Sequence, residues 1–152
     1  MPDLPAQIPE SFQDLLIGPY YAALTTLMPG GQPQTTVVWC DFDGEQVLIT
    51  TMRGFRKEKN IRLDPRVTLL VYDLHNTSRY LEVRGRVTEI SEKGAVAFLD
   101  HLSEVYTGRS PYFGEVVPAG LEASEVPVLC KIAPTHVVAK DFGSSEGEGA
   151  AS

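Results

Sequence analysis

The sequence predicts a mainly β protein with a few helices, a closed antiparallel barrel of six short strands, and three observations carry that expectation. Runs rich in β-branched and aromatic residues recur between Gly, Pro and Asp-Gly breaks. A helical pattern enters after the third run instead of after each one, which argues against an alternating α/β sheet. The chain has 152 residues, 43% of them hydrophobic, which fits one domain around one core.

Ser11 and Asp14, placed before Leu15, Leu16 and Ile17, predict a short N-terminal helix that Gly18-Pro19 stops. Tyr20 to Met28 reads as the first strand, and Pro29-Gly30-Gly31-Gln32-Pro33 as a hairpin loop. Gln34 to Phe42 is the second strand; Asp43-Gly44 turns it into the third, Gln46 to Thr51, so these two pair antiparallel. A short basic helix follows, in which Phe55, Ile61 and Leu63 share a buried side and Asp64-Pro65 marks the end.

Arg66 to Asp73 and Arg79 to Ile90 read as the fourth and fifth strands, with Gly85 a bulge that bends the fifth around a barrel. Val96, Phe98, Leu99, Leu102 and Val105 recur at helical spacing over residues 91–106, which predicts a second, longer helix. Residues 107–125 read as a loop with at most a helical turn. Val126 to Ile132 and Thr135 to Phe142 form the last strand or strand pair, broken near Pro134. The domain is expected over 1–142 and a disordered tail over 143–152, where the residues are small, polar and without an apolar face.

The first ten residues lack the basic start and apolar run of a secretion signal, and no stretch is apolar for the roughly 18 residues of a membrane helix. A soluble, cytoplasmic protein without a membrane partner is expected. Cys40 and Cys130 belong to no CxxC or Cys/His ligand pattern, so they are expected as reduced core thiols and no metal site is expected. The net charge of -7 argues against nucleic acid as a partner. A barrel this small leaves apolar wall exposed, and a second copy is the simplest cover, so a homodimer is expected.

Local charge departs from that acidic average. Six of the thirteen Lys and Arg residues fall between Arg53 and Arg66. In Thr50-Thr51-Met52-Arg53-Gly54-Phe55-Arg56-Lys57 a strand ends in hydroxyls and turns through glycine into a cation-bearing helix start. An anion finds free backbone N–H groups, close approach and charged donors there. The competing reading is a solvated helix face with Glu58 and Asp64 as weak partners. The position of the cations, at the strand end beside the barrel wall, selects Lys57, Arg53 and Arg56 as phosphate ligands.

On the second strand, alternation sets Thr36 and Val38 on one face and Thr35, Val37 and Trp39 on the other, a wall on which a planar ring can rest. Trp39 by itself reads as core or dimer packing. Tyr72, Asp73, His75, Asn76, Arg79 and Tyr80 gather around the loop between the fourth and fifth strands, either a hydrated loop or a cover for a partner's site. His101 and His136 stand isolated and read as structural. No GxSxG, HExxH or P-loop occurs, so those hydrolase and nucleotidase classes lose support. The catalytic residues are not legible.

The order of pieces resembles the pyridoxamine 5'-phosphate oxidase-like family of split-barrel, FMN-binding proteins, in particular its coenzyme F420-dependent oxidoreductase branch. The residues that carry it are DLLIGPYYAALTTLMPGGQPQTTVVWCDFDGEQVLITT, RGFRKEKNIRLDPRVTLLVYD, RYLEVRGRVTEI and VLCKIAPTHVVAKD. The resemblance implies a six-stranded split barrel and a homodimer with two interfacial sites, each holding the ring and phosphate of F420 or FMN. It assigns Lys57 to the phosphate through a K-x-x-N element that ends in Asn60. Thr50, Thr51 and Arg56 become neighbouring phosphate contacts, and Gln34, Thr36 and Val38 lie on the strand that passes the ring. The implied activity is hydride transfer between bound deazaflavin and a small-molecule substrate, the cofactor carrying the reaction. An FMN-dependent oxidase-like enzyme and a non-catalytic flavin or tetrapyrrole binding protein are the alternatives.

Overall fold

The computed structural model describes residues 5–143. In chain order these form β1 (Ala22–Leu27), β2 (Pro33–Val38), β3 (Cys40–Phe42), β4 (Val47–Met52), α1 (Arg56–Leu63), β5 (Arg66–Asp73), β6 (Asn76–Ser91), α2 (Ala95–Thr107) and β7 (Pro127–Asp141). The strands make one antiparallel sheet in the order β2-β1-β5-β6-β7-β4-β3. Its two margins, β2 and β3, are consecutive in sequence and separated by Trp39 alone. The sheet therefore curls until one segment of chain belongs to both ends, a split barrel.

The strand count is seven where six were expected, because the run Gln34 to Phe42 is divided. Its first part pairs with β1, with Val38 opposite Ala22, and its second part pairs with β4, with Cys40 opposite Ile49. A single straight strand cannot serve partners at opposite ends of a sheet, so the chain bends at Trp39. The β3–β4 hairpin is the pairing expected from Asp43-Gly44, whose aspartate accepts the N–H groups of Glu45 and Gln46 at 2.9 and 2.7 Å.

Inward-facing residues of every long strand form the core, among them Leu24, Ile49, Leu69, Leu81, Val83 and Ile132, all 0% exposed. Leu15 and Leu16 join them from the N-terminal segment. Each such side chain contributes roughly 1.5–3 kcal/mol through removal from water. Cys40 lies opposite Ile49, and Ile49 opposite Cys130. The two buried thiols thus face the core two strand spacings apart, roughly 10 Å, too far for a disulfide.

Three local expectations are corrected. The N-terminal helix is a 3-10 turn, Glu10–Leu15, without a side-chain cap. Its Asp14 is drawn instead to Arg79, which also donates to the Ser11 carbonyl at 2.8 Å and to Asp73 at 3.3 Å. Pro134 does not break β7, because a bulge absorbs it: Gly85 pairs with Pro134 and Arg84 with His136, which leaves Thr135 over. A Cβ at Gly85 would invade the Ala133 carbonyl oxygen and sit 2.9 Å from Ile132 Cγ2, so the bulge requires glycine. Finally, α1 buries Glu58, Asn60 and Ile61, whereas Phe55, at the N-cap, and Leu63 are exposed.

Residues 107–125 hold two short turns, Tyr112–Val116 and Ala119–Ala123. The expected tail lies, after Gly143, outside the described residues. Among the described residues no helix is long and apolar enough to cross a membrane.

Candidate functional site

β4 delivers Thr50, Thr51 and Met52 to the barrel mouth, and Gly54, with φ of +86°, reverses the chain into α1. No side chain caps α1. The amides of Arg56 and Lys57, in its first turn, have no acceptor within the helix. Glu58 folds back instead: its carboxylate, 2% exposed, accepts the Gly54 N–H at 2.7 Å and receives Arg62 and, at 3.5 Å, Arg53. Arg53 also meets Glu92 at 2.6 Å. These contacts hold the turn rigid and commit Arg53 to carboxylates.

Lys57 is different. It is half-buried and has neither an ion pair nor a hydrogen bond among the described residues. Loss of water around the ammonium holds its pKa below the ordinary value of 10.5. A cation deprived of solvent and without a counter-ion is set to receive an anion.

Lys57 lines an open cleft of about 220 Å³. Thr50 and Thr51 belong to the same lining. The Thr50 hydroxyl donates to the Val128 carbonyl at 3.1 Å, but that of Thr51 is buried without a partner. The rest of the lining is largely apolar: Met52, Leu99 and Val38 are buried, Trp39 and Tyr112 are half-buried, and Val37, Tyr21 and Phe55 are exposed. Val38 is on β2, which pairs only with β1, so this strand turns an unpaired backbone edge outward.

The aromatic wall is fixed from behind. Trp39 stacks on Tyr106 of α2 with centroids 5.2 Å apart, and Tyr112 meets its edge at 6.0 Å. The Tyr106 hydroxyl donates to the Tyr20 carbonyl at 2.7 Å and accepts the Cys40 N–H at 3.2 Å. Burial raises the Tyr106 phenol well above its usual range and pushes the Cys40 thiol up to about 12. Both stay neutral and serve packing.

Of the residues picked from sequence, Lys57, Thr50, Thr51 and Val38 line the cleft. Arg56 is exposed beside it at the first turn of α1. Arg53 serves the Glu58 and Glu92 pairs. Asn60 is fully buried behind the cleft, where its Nδ2 donates to Thr26 at 3.0 Å and to Gln34 at 3.4 Å and ties α1 to the β1–β2 hairpin. The oxygen of Asn60 and the hydroxyl of Thr36 are buried without partners. Trp39, read from sequence as packing, packs and lines the cleft as well.

Sequence reasoning missed Tyr21, Met52, Phe55, Leu99 and Tyr112. Leu99 showed only as a helical core position, and Tyr112 lay in a stretch without periodicity. His101 meets Asp41 at 3.2 Å on the surface of α2, and neither it nor His136 lines the cleft. Apart from Lys57 and the phenols of Tyr21 and Tyr112 the lining holds no titratable group. The lining thus combines apolar and aromatic side chains with one unpaired cation.

Comparison with known proteins shows which proteins the chain resembles. A solved F420 reductase is 34% identical, covering 86% of this chain and 98% of that one, with a TM-score of 0.74. A conserved hypothetical protein from Mycobacterium tuberculosis is 25% identical over 96% of both chains, with a TM-score of 0.69. General Stress Protein 26 from Bacillus anthracis shares the fold at 18% identity, covering 83% of this chain and 88% of that one, with a TM-score of 0.57. Comparison with curated proteins gives no match. The family profile of pyridoxamine 5'-phosphate oxidase spans residues 8–137, nearly the whole barrel from Ile8 to Val137, and with it the chain belongs to that family of split-barrel proteins.

Proposed function

We propose that this protein is a cytoplasmic F420-dependent oxidoreductase that moves a hydride between bound deazaflavin and a small organic substrate. The observation that carries the reading is the cleft that joins an uncompensated, desolvated Lys57 to an aromatic and aliphatic slot. The 34% identity to an F420 reductase favours deazaflavin over other ring cofactors. The cleft fits such a group on its own evidence, since the buried Thr51 hydroxyl, in the same lining as Lys57, lacks a partner.

In this reading Lys57, the first-turn amides of α1 and the Thr51 hydroxyl hold the cofactor phosphate, with Arg56 adding charge from outside. Trp39, Tyr112, Met52 and Leu99 would keep water from a bound ring, and Val38 with the free edge of β2 would help to orient it. Gln34 and Asn60 act from behind, fixing β2 relative to the helix that carries Lys57, and Thr36 lies between them and Val38. Deazaflavin, when bound, supplies the hydride chemistry, so the chain needs to orient, enclose and desolvate.

The working unit in this proposal is a homodimer. Val37, Ala23, Leu70, Glu82 and Val138 form one cross-strand row on the outer face of the sheet. Val37 is 69% exposed and also belongs to the cleft rim. A second copy on that face would cover the row and deepen a cleft smaller than the roughly 300–1,000 Å³ usual for ligand sites.

FMN is the second reading, favoured by the match to pyridoxamine 5'-phosphate oxidase. Side-by-side titration of F420 and FMN into apo protein, followed by fluorescence, tests both. Tighter F420 binding with turnover of reduced F420 supports the proposal. FMN binding alone, or binding of neither, rejects it.

A further inference from the structure

A second cleft, of about 380 Å³, opens on the outer face of the sheet and involves none of the residues discussed above as cofactor ligands. Arg66, Arg84 and Arg86 line it together with Thr25, Thr68 and Thr135, and no carboxylate is in its lining. It begins where α1 has ended, at Arg66, whereas Lys57 is at the opposite end of that helix.

The register makes the arginine cluster unusual. Arg66 is directly opposite Arg86 across β5 and β6, and Thr68 is opposite Arg84, two residues along the same face of β6. Like charges facing each other across strands disfavour a sheet. Internal compensation is partial: Asp64 forks Arg66 at 3.0 and 2.7 Å, and Glu82 meets Arg84 at 3.0 Å. Arg86 has no ion pair within 4 Å among the described residues, and the nearby carboxylate that feels its charge, Asp64, is already forked by Arg66. In a chain of net charge -7, three guanidinium groups on neighbouring sheet positions run against the average.

The concavity has a structural origin. The bulge opposite Arg84 and Gly85 lies in β7 and bends that strand here, and its surplus residue Thr135 donates its hydroxyl to the Arg84 carbonyl at 3.2 Å. Gly85, between the two β6 arginines, adds no side chain to the lining, which Leu27 and Val67 complete. Forked guanidinium donors in a lining without acids match the oxygens of phosphate and carboxylate groups.

We infer that this cleft binds a small, multiply charged oxyanion, a phosphate or a polycarboxylate, at a site separate from the Lys57 cleft. The inference does not depend on the identity of the cofactor.

The test is titration of uniformly labelled protein with inorganic phosphate and, separately, citrate, at constant ionic strength, read by amide chemical shifts. The inference expects saturable shifts at Gly85, Arg86 and Thr135, with Arg86→Ala weakening the tighter anion about tenfold or more and Lys57→Ala leaving it unchanged. The stronger of the two titrants tells phosphate from carboxylate chemistry. Shifts confined to residues 54–58, or none at either anion up to about 50 mM, which corresponds to negligible affinity, would overturn it. So would loss of self-association in Arg86→Ala without any anion-dependent shift in the wild type, since the arginines would then serve contact between copies.

Discussion

Tyr106 lies 12° from parallel with Trp39, stacked behind the residue at which the chain leaves β2 and enters β3. Its hydroxyl bridges the Tyr20 carbonyl and the Cys40 N–H, so one side chain of α2 supports the ring of Trp39 and the backbone on either side of the barrel seam. A Cβ at Gly18 would come within 3.2 Å of the same phenol, so the N-terminal segment closes over it too.

Tyr106→Phe therefore keeps the stack and removes the bridge. The Cys40 N–H loses its side-chain acceptor, and the expected loss of stability is about 1–3 kcal/mol. Urea unfolding measures it. A midpoint unchanged from wild type would show that the hydroxyl contributes nothing at the seam.

Lys57→Met separates binding from stability. Cofactor affinity should fall about tenfold or more, the effect of one lost charged contact. Stability at neutral pH should hold or rise slightly, because the fold disfavours the charged form. Between the depressed folded pKa and 10.5 the unfolded chain binds the extra proton, so the lysine's contribution improves as pH rises and the gap between variant and wild type narrows. Fluorescence titration and thermal melts at two pH values report both quantities; a large loss of stability at pH 7 would contradict the desolvated state of Lys57.

Alkaline pH should act through the buried thiols. Cys40 and Cys130 are each pushed up to about 12 from 9.0 by burial, so the folded chain keeps protons that the unfolded chain gives up. Their contribution is complete below pH 9 and is lost progressively toward about pH 12. Cys130→Ala should flatten part of that decline, and urea midpoints taken across the interval provide the check. An identical slope in the variant would remove Cys130 from the account.

Gly85→Ala is predicted to damage the barrel out of proportion to one methyl group. The new Cβ meets the backbone of Ala133 and Ile132 Cγ2, neither of which can yield without disturbing the β6–β7 ladder. A cost of about 1–3 kcal/mol or more follows from overpacking. Thermal denaturation would expose the error if the variant melted with the wild type.

Much of this architecture was legible because strand composition, turn residues and one inserted helix act locally. Asp43-Gly44 set the β3–β4 hairpin, whereas Gly85 marked the place of a bulge whose surplus residue, Thr135, lies on the facing strand β7. The break at Trp39 was not legible, since a continuous β-branched run carries no mark of which neighbours its two halves will find. For the site, Thr50, Thr51 and Lys57 are close in sequence and their chemistry could be read together. Leu99 and Tyr112 reach the same cleft from α2 and the loop beyond it, a juxtaposition that only the folded chain creates. Asn60 illustrates the opposite case: its spacing from Lys57 was visible, but its burial against Thr26 and Gln34 depended on tertiary packing.

Circular permutation would distinguish the turns of this barrel from its seam. New termini opened at the Met28–Gln32 turn or the Asp43–Gln46 turn leave the segment through Trp39 intact, and the ribbon still closes on itself. Termini opened at Trp39 free its two margins, leaving closure to depend on whatever occupies the gap between them.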